Sequence, residues 1–119
     1  MKSSGSVRPF VKTEDLEWEA AEDGVRRKVL GHDSELMMVR VEFRSGAVGY
    51  VHTHPHRQIT FVESGRFEVQ VGGKKDVLKK GDSFIVEPGL PHGVAALEDG
   101  CLIDVFNPAR EDFLKRKKP

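Results

Sequence analysis

The sequence predicts an all-β sandwich or barrel with one short helix at its C-terminal end. Three observations lead there. Short β-branched or aromatic runs recur at close, even spacing from residue 7 onward, glycine-containing turns separate them, and no stretch carries a long helical period.

Taken in order, residues 1–6 are small and polar and are expected to be disordered. The acidic segment 14–22, which contains Trp18, is compatible with a strand, a helical turn or a loop. Strands are expected over 25–30, 36–44, 59–62, 67–71, 76–78, 83–86, 93–96 and 102–106. Between them lie Gly31-His32-Asp33, Ser45-Gly46, Ser64-Gly65, Gly72-Gly73, Gly81-Asp82, the stretch 88–91 and the stretch 98–100. Gly72-Gly73 between two alternating runs signals a hairpin, because a tight primed turn needs positive φ. Phe67-Glu68-Val69-Gln70-Val71 alternates, so one face is wet and the other buried. Near the end, Asn107 suits a helix cap and Pro108 a first helical position, which predicts one helix over 110–117.

The bulk composition narrows the function. The 119 residues, 38% hydrophobic and 32% charged, suit a single domain over 7–119 with no internal boundary. Nineteen acidic and 19 basic residues cancel, which argues against nucleic acid as a partner. The basic end Lys115-Arg116-Lys117-Lys118 reads as a solvated terminus. Cys101 is the single cysteine, so no intramolecular disulfide can form, and its apolar neighbours Leu102 and Ile103 make it a small buried hydrophobe. The start lacks the apolar stretch of a signal peptide, and no run reaches the roughly 18 apolar residues of a membrane span. The expectation is a cytoplasmic protein with no membrane partner.

Three of the five histidines fall in His52-Thr53-His54-Pro55-His56, and His92 lies 36 residues beyond His56. Residues two apart in a strand point the same way, so His52 and His54 can converge on one metal ion. Pro55 breaks the ladder, after which Gln58 can return toward the same point. His56 is placed at the mouth of the site and His32, in its turn, in solvent. A lone His-x-His is compatible with surface histidines beside a turn; the wider spacing separates the two readings. Gly46, five residues, His52, one residue, His54, three residues, Gln58, six residues and Gly65 form one unit. Gly81, seven residues, Gly89, two residues and His92 form another.

These two units resemble the two motifs of the cupins, over roughly residues 44–106. The resemblance implies a double-stranded β-helix (jelly-roll) barrel holding one divalent metal ion on His52, His54, Gln58 and His92. Gln58 stands where the family usually has glutamate, Glu87 where it has proline, and Ala96 where its second motif often ends in asparagine. Three imidazoles and an amide make a neutral ligand set that suits zinc, nickel, copper, iron or manganese better than magnesium or calcium. It leaves the ion's full charge to polarise a bound oxygen and attract a small anionic substrate.

A second constellation lies near the C-terminus. Asp104 shares a strand face with Leu102 and Phe106, a charge among core residues that needs a partner or a task. Arg110 is a candidate partner, and a buried ion pair pinning the helix competes with a functional role. The strings His54-Pro55-His56-Arg57-Gln58, Pro91-His92-Gly93-Val94 and the run 104–113 resemble the small pectin-degradation cupins that act on unsaturated monouronates. That resemblance implies ring opening of a 4,5-unsaturated uronate to a linear keto sugar acid, with Asp104, Phe106 and Arg110 as site residues. It also implies a homodimer, with residues 7–11 as the exchanged strand. A small cupin dioxygenase, a non-catalytic module that captures a small anion, and a structural cupin with an adventitious metal are the competing readings. The first predicts oxygen uptake, and the second tight binding without product.

Overall fold

The computed structural model describes residues 8–115. Among them are ten strands: β1 (Glu19–Glu22), β2 (Val25–His32), β3 (Met37–Phe43), β4 (Val48–His52), β5 (Arg57–Ser64), β6 (Arg66–Val71), β7 (Lys74–Lys79), β8 (Ser83–Val86), β9 (His92–Ala96) and β10 (Gly100–Asn107). A 3-10 turn at Thr13–Asp15 precedes them and one helical turn, α1 (Glu111–Leu114), follows. The strands form a six-stranded sheet ordered β1-β2-β3-β10-β5-β8 and a four-stranded sheet ordered β4-β9-β6-β7, with every pairing antiparallel.

The two sheets share one apolar core. Val25, Phe43, Val62 and Leu102 from the larger sheet meet Phe67, Val69 and Ala96 from the smaller. Phe43 and Phe67 pack edge to face, with centroids 5.2 Å apart, the arrangement ring quadrupoles favour. A second cluster, Met37, Val39, Phe106 and Ala109, with Phe113 against it, seats the chain end on β3 and β10. The hairpin at Gly72-Gly73 forms as expected: Val71 pairs with Lys74, and Gly72 takes φ +61°. β6 alternates as its sequence predicts, with Phe67 and Val69 inside and Glu68 outside.

Several expectations need correction. Of the alternatives for 14–22, residues 19–22 take the strand, at the sheet edge against β2. Residues 48–52, outside the expected strand ranges although His52 was read on a strand, form β4. Gly31 and His32 do not turn but extend β2; His32 is exposed. Asn107 does not cap a helix. It ends β10, its side chain donates to the Glu35 carbonyl, and it joins Pro108 through a cis peptide bond. Helix α1 therefore starts at Glu111 and covers only four residues, while the predicted end, at 116–117, lies outside the described residues. The predicted disorder at 1–6 and Val7 of the predicted exchange strand also lie outside; residues 8–11 have no regular structure.

Candidate metal centre and cavity

The histidines meet because two strands cross at close range. His52 ends β4 and His92 begins β9, and the two are direct cross-strand partners. Gly93 permits the approach: a Cβ there would sit 2.9 Å from the Gly49 carbonyl oxygen and 3.0 Å from the Val51 nitrogen. His54 lies past the end of β4 rather than within a strand, yet its ring still converges. Centroids are 4.5 Å apart for His52 and His92, 4.6 Å for His54 and His92, and 5.5 Å for His52 and His54.

Each of the three rings is oriented by a backbone carbonyl two residues away. Nδ1 of His52 donates to Tyr50 (2.9 Å), Nδ1 of His54 to His56 (3.1 Å) and Nδ1 of His92 to Leu90 (2.9 Å). Once Nδ1 carries the proton, Nε2 of a neutral ring presents a lone pair. Burial holds the rings of His54 and His92 below the usual imidazole pKa, His92 down to about 4, so both stay neutral near pH 7. One nitrogen from each of His52, His54 and His92 lies within 4.8 Å of the others, an arrangement positioned to bind a metal ion. Backbone carbonyls that fix the tautomer in this way are the ordinary companions of metal-ligating histidines.

Two further atoms point the same way. Nε2 of His92 is buried with no hydrogen-bond partner among the described residues. The Gln58 carbonyl oxygen lies 2.9 Å from Nε2 of His54. With the His54 proton on Nδ1, that contact joins two lone pairs, which a cation between them would turn from repulsive to attractive.

Gln58 belongs to β5, where burial alternates strictly: Gln58, Thr60 and Val62 face inward, and Arg57, Ile59 and Phe61 outward. The Gln58 amide nitrogen donates to Oγ1 of Thr60 (2.8 Å), and the Thr60 hydroxyl donates to Asp104 on neighbouring β10 (2.6 Å). Removal from water raises the Asp104 carboxyl to about 6, with the Thr60 hydrogen bond and the Arg110 charge pulling the other way.

Arg110 does not pair with Asp104. Its Nε and Nη2 donate to Asp112 (3.0 and 2.9 Å), which lowers the Asp112 carboxyl pKa, and its guanidinium lies over the rings of Phe113 (4.2 Å) and Phe106 (5.0 Å). A neighbour two positions away, across a tight chain end, reaches the guanidinium more readily than a carboxylate already held by Thr60. His52, Gln58, His92, Asp104, Phe106 and Arg110 all line one cavity of about 390 Å³, within the size range of small-molecule sites. His56 is half-buried beside it, its ring 5.4 Å from His54 and 6.3 Å from Phe106.

Sequence reading missed Thr60, Arg27, Asp112 and Phe113. Strand parity with Gln58 could have found Thr60. Arg27 also lies over the Phe113 ring, 3.8 Å from its centroid, and lines the cavity; no local signal marks it.

Comparison with known proteins follows the same lines. Residues 39–106 match the family described as the cupin domain. The chain is 43% identical over 110 residues to the pectin degradation protein KdgF of Dickeya dadantii, covering 91% of this chain and 100% of that one. An RmlC-like cupin from Shewanella frigidimarina superposes with a TM-score of 0.86 at 46% identity, over 89% of this chain and 96% of that one. KdgF from a Halomonas species gives a TM-score of 0.85 at 41% identity, over 89% and 98%.

Proposed function

The chain belongs to the cupin domain family, and from that premise we propose that it is a metal-dependent enzyme that opens the ring of a 4,5-unsaturated uronate. The observation that carries this reading is the one cavity lined by His52, Gln58, His92, Asp104 and Arg110 together. The kinship with a pectin degradation protein at 43% identity supplies the substrate class.

His52, His54, His92 and the Gln58 oxygen would hold one divalent ion of the zinc, nickel, iron or manganese type. When bound, that ion supplies Lewis-acid polarisation of a substrate oxygen. The protein's own groups do the rest. Arg110 has five N–H donors, and Asp112 engages the Nε–Nη2 edge. The terminal Nη1–Nη2 edge is left for the substrate carboxylate, with two parallel donors. Phe106 walls the sugar face.

The reaction is an isomerisation, so atoms balance without a co-reactant. The anomeric hydroxyl loses a proton as the bond from the anomeric carbon to the ring oxygen breaks. The enol carbon gains a proton, and the former ring oxygen becomes a ketone. Asp104, a carboxyl on the wall of the same cavity that burial raises in the metal-free chain, is the group assigned to moving that proton.

The test is loss of the substrate's enol-ether ultraviolet absorbance, with and without chelator. A chelator-sensitive rate far above the spontaneous one is expected. A background rate in metal-loaded protein overturns the reading and leaves a binding module.

The same proposal makes the protein a cytoplasmic homodimer. In support, Met38, Val105, Ile59 and Ile85 stand in direct register across β3, β10, β5 and β8, with Ile103 and Phe61 in the next row. Met38, Ile59, Phe61 and Ile85 are each 42–55% exposed, an apolar row that a second copy would cover. Phe61→Glu should convert a dimer to a 13.3 kDa monomer in light scattering; wild type running as a monomer would refute the dimer.

A further inference from the structure

Gln58, Thr60 and Asp104 form a chain of hydrogen bonds whose direction is fixed at one end, and that direction decides what the histidine cluster sees. Thr60 is completely buried, and its hydroxyl has one proton. That proton goes to Asp104, its cross-strand partner, at 2.6 Å. Toward Gln58, the Thr60 oxygen can then only accept. It receives an amide N–H at 2.8 Å, which turns the Gln58 carbonyl oxygen toward Nε2 of His54.

The opposite orientation would satisfy Gln58 and His54 better when no metal is bound. The amide nitrogen would then donate to Nε2 of His54 and occupy the lone pair a metal needs. Its cost is paid at Thr60, where the Gln58 oxygen would meet a hydroxyl oxygen whose proton is already committed. The conflict between two local preferences is therefore settled at Thr60, two positions along β5 from Gln58.

We propose that Thr60 is a positioning residue that keeps the Gln58 amide from closing the site, holding its oxygen toward the metal position. This rests on the metal centre described above. It assigns Thr60 no contact with metal or substrate. Its hydroxyl acts only through Gln58.

The experiment measures affinity for Co(II) alone, by competition with a chromophoric chelator, on the full chain. Thr60→Val, close in shape but without the hydroxyl, should weaken binding about 10- to 100-fold, the usual effect of losing a group that orients a metal ligand. Thr60→Ser should restore affinity to near wild type. In a Gln58→Ala background, Thr60→Val should cause no further loss, whereas a general packing defect would weaken binding in both backgrounds. Unchanged affinity in Thr60→Val, or equal losses in the two backgrounds, overturns the proposal. If Thr60→Val does not fold, Thr60→Ser against Thr60→Ala poses the same question of one hydroxyl, and equal affinities overturn it. Wild-type protein without affinity for Co(II) would instead overturn the metal centre itself.

Discussion

The two ends of the barrel interior are built from the same strands and obey opposite rules. β5 contributes Val62 to one end and Thr60 and Gln58 to the other; β10 contributes Leu102 to one and Asp104 to the other. At the apolar end, any side chain of suitable size and shape serves, because burial stabilises in proportion to area, roughly 25 cal/mol per Å². At the polar end each buried atom needs a specified partner, and an unpaired one costs about 1–3 kcal/mol. Phe43 against Phe67 is a packing solution; Nε2 of His92, without a partner among the described residues, is an unmet demand. One half of the strand length thus supplies the stability that lets the other half hold groups in unfavourable company.

That contrast can be broken from either side. The largest effect is expected at Asp104. Asp104→Asn keeps an acceptor for the Thr60 hydroxyl but cannot carry a proton, so kcat should fall about 10²- to 10⁴-fold while the bound metal content is unchanged. Full activity in that variant would remove Asp104 from the mechanism. Phe67→Ala makes the reverse cut. Phe67 is fully buried, and its truncation should cost about 3–5 kcal/mol in urea denaturation, leaving kcat of the surviving folded protein near wild type. A large kcat loss with little loss of stability would show that the two ends are not separable.

The smallest effect is a pH dependence. In the folded chain the Asp104 carboxyl is raised from its ordinary 3.8 to about 6. Between those values the folded state retains a proton that the unfolded state releases, so stability is lost as pH rises through that window. Asp104→Asn removes this loss. Its metal-free form should melt a few degrees above wild type at pH 8, and the advantage should vanish at pH 4. A constant difference across pH would mean that desolvation of the carboxylate is not what the substitution relieves.

Much of the fold was legible because its signals are local. The Gly72-Gly73 turn and the alternation of β6 each involve a handful of neighbouring residues, and both appear as expected. The histidine spacing was legible for a related reason: two short segments with glycines at set distances identify the family, and the structure brings those histidines together. The terminal helix was misplaced because Asn107 and Pro108 carry helix-start chemistry. A tertiary partner, the Glu35 carbonyl, took the Asn107 side chain instead. Asp104 stood out as a charge among apolar neighbours, but its partner was assigned to the nearest cation in sequence, whereas Thr60, 44 residues away, holds it.

The sequence by itself determined that this chain makes short glycine-punctuated strands, that it is a cupin, and which histidines converge. Strand periodicity and motif spacing record relations among residues close along the chain, and those survive without the fold. Apolar character alone would have turned Ile59 and Phe61 of β5 inward, against the ligand position of Gln58 on the opposite face. Only the tertiary structure settled that conflict, and it exposes the apolar pair. It also decided that Thr60 and Asp104 are cross-strand neighbours and that Arg110 answers to Asp112. Those choices depend on register between strands distant in sequence, and register is set by the packing of the whole barrel rather than by any single strand.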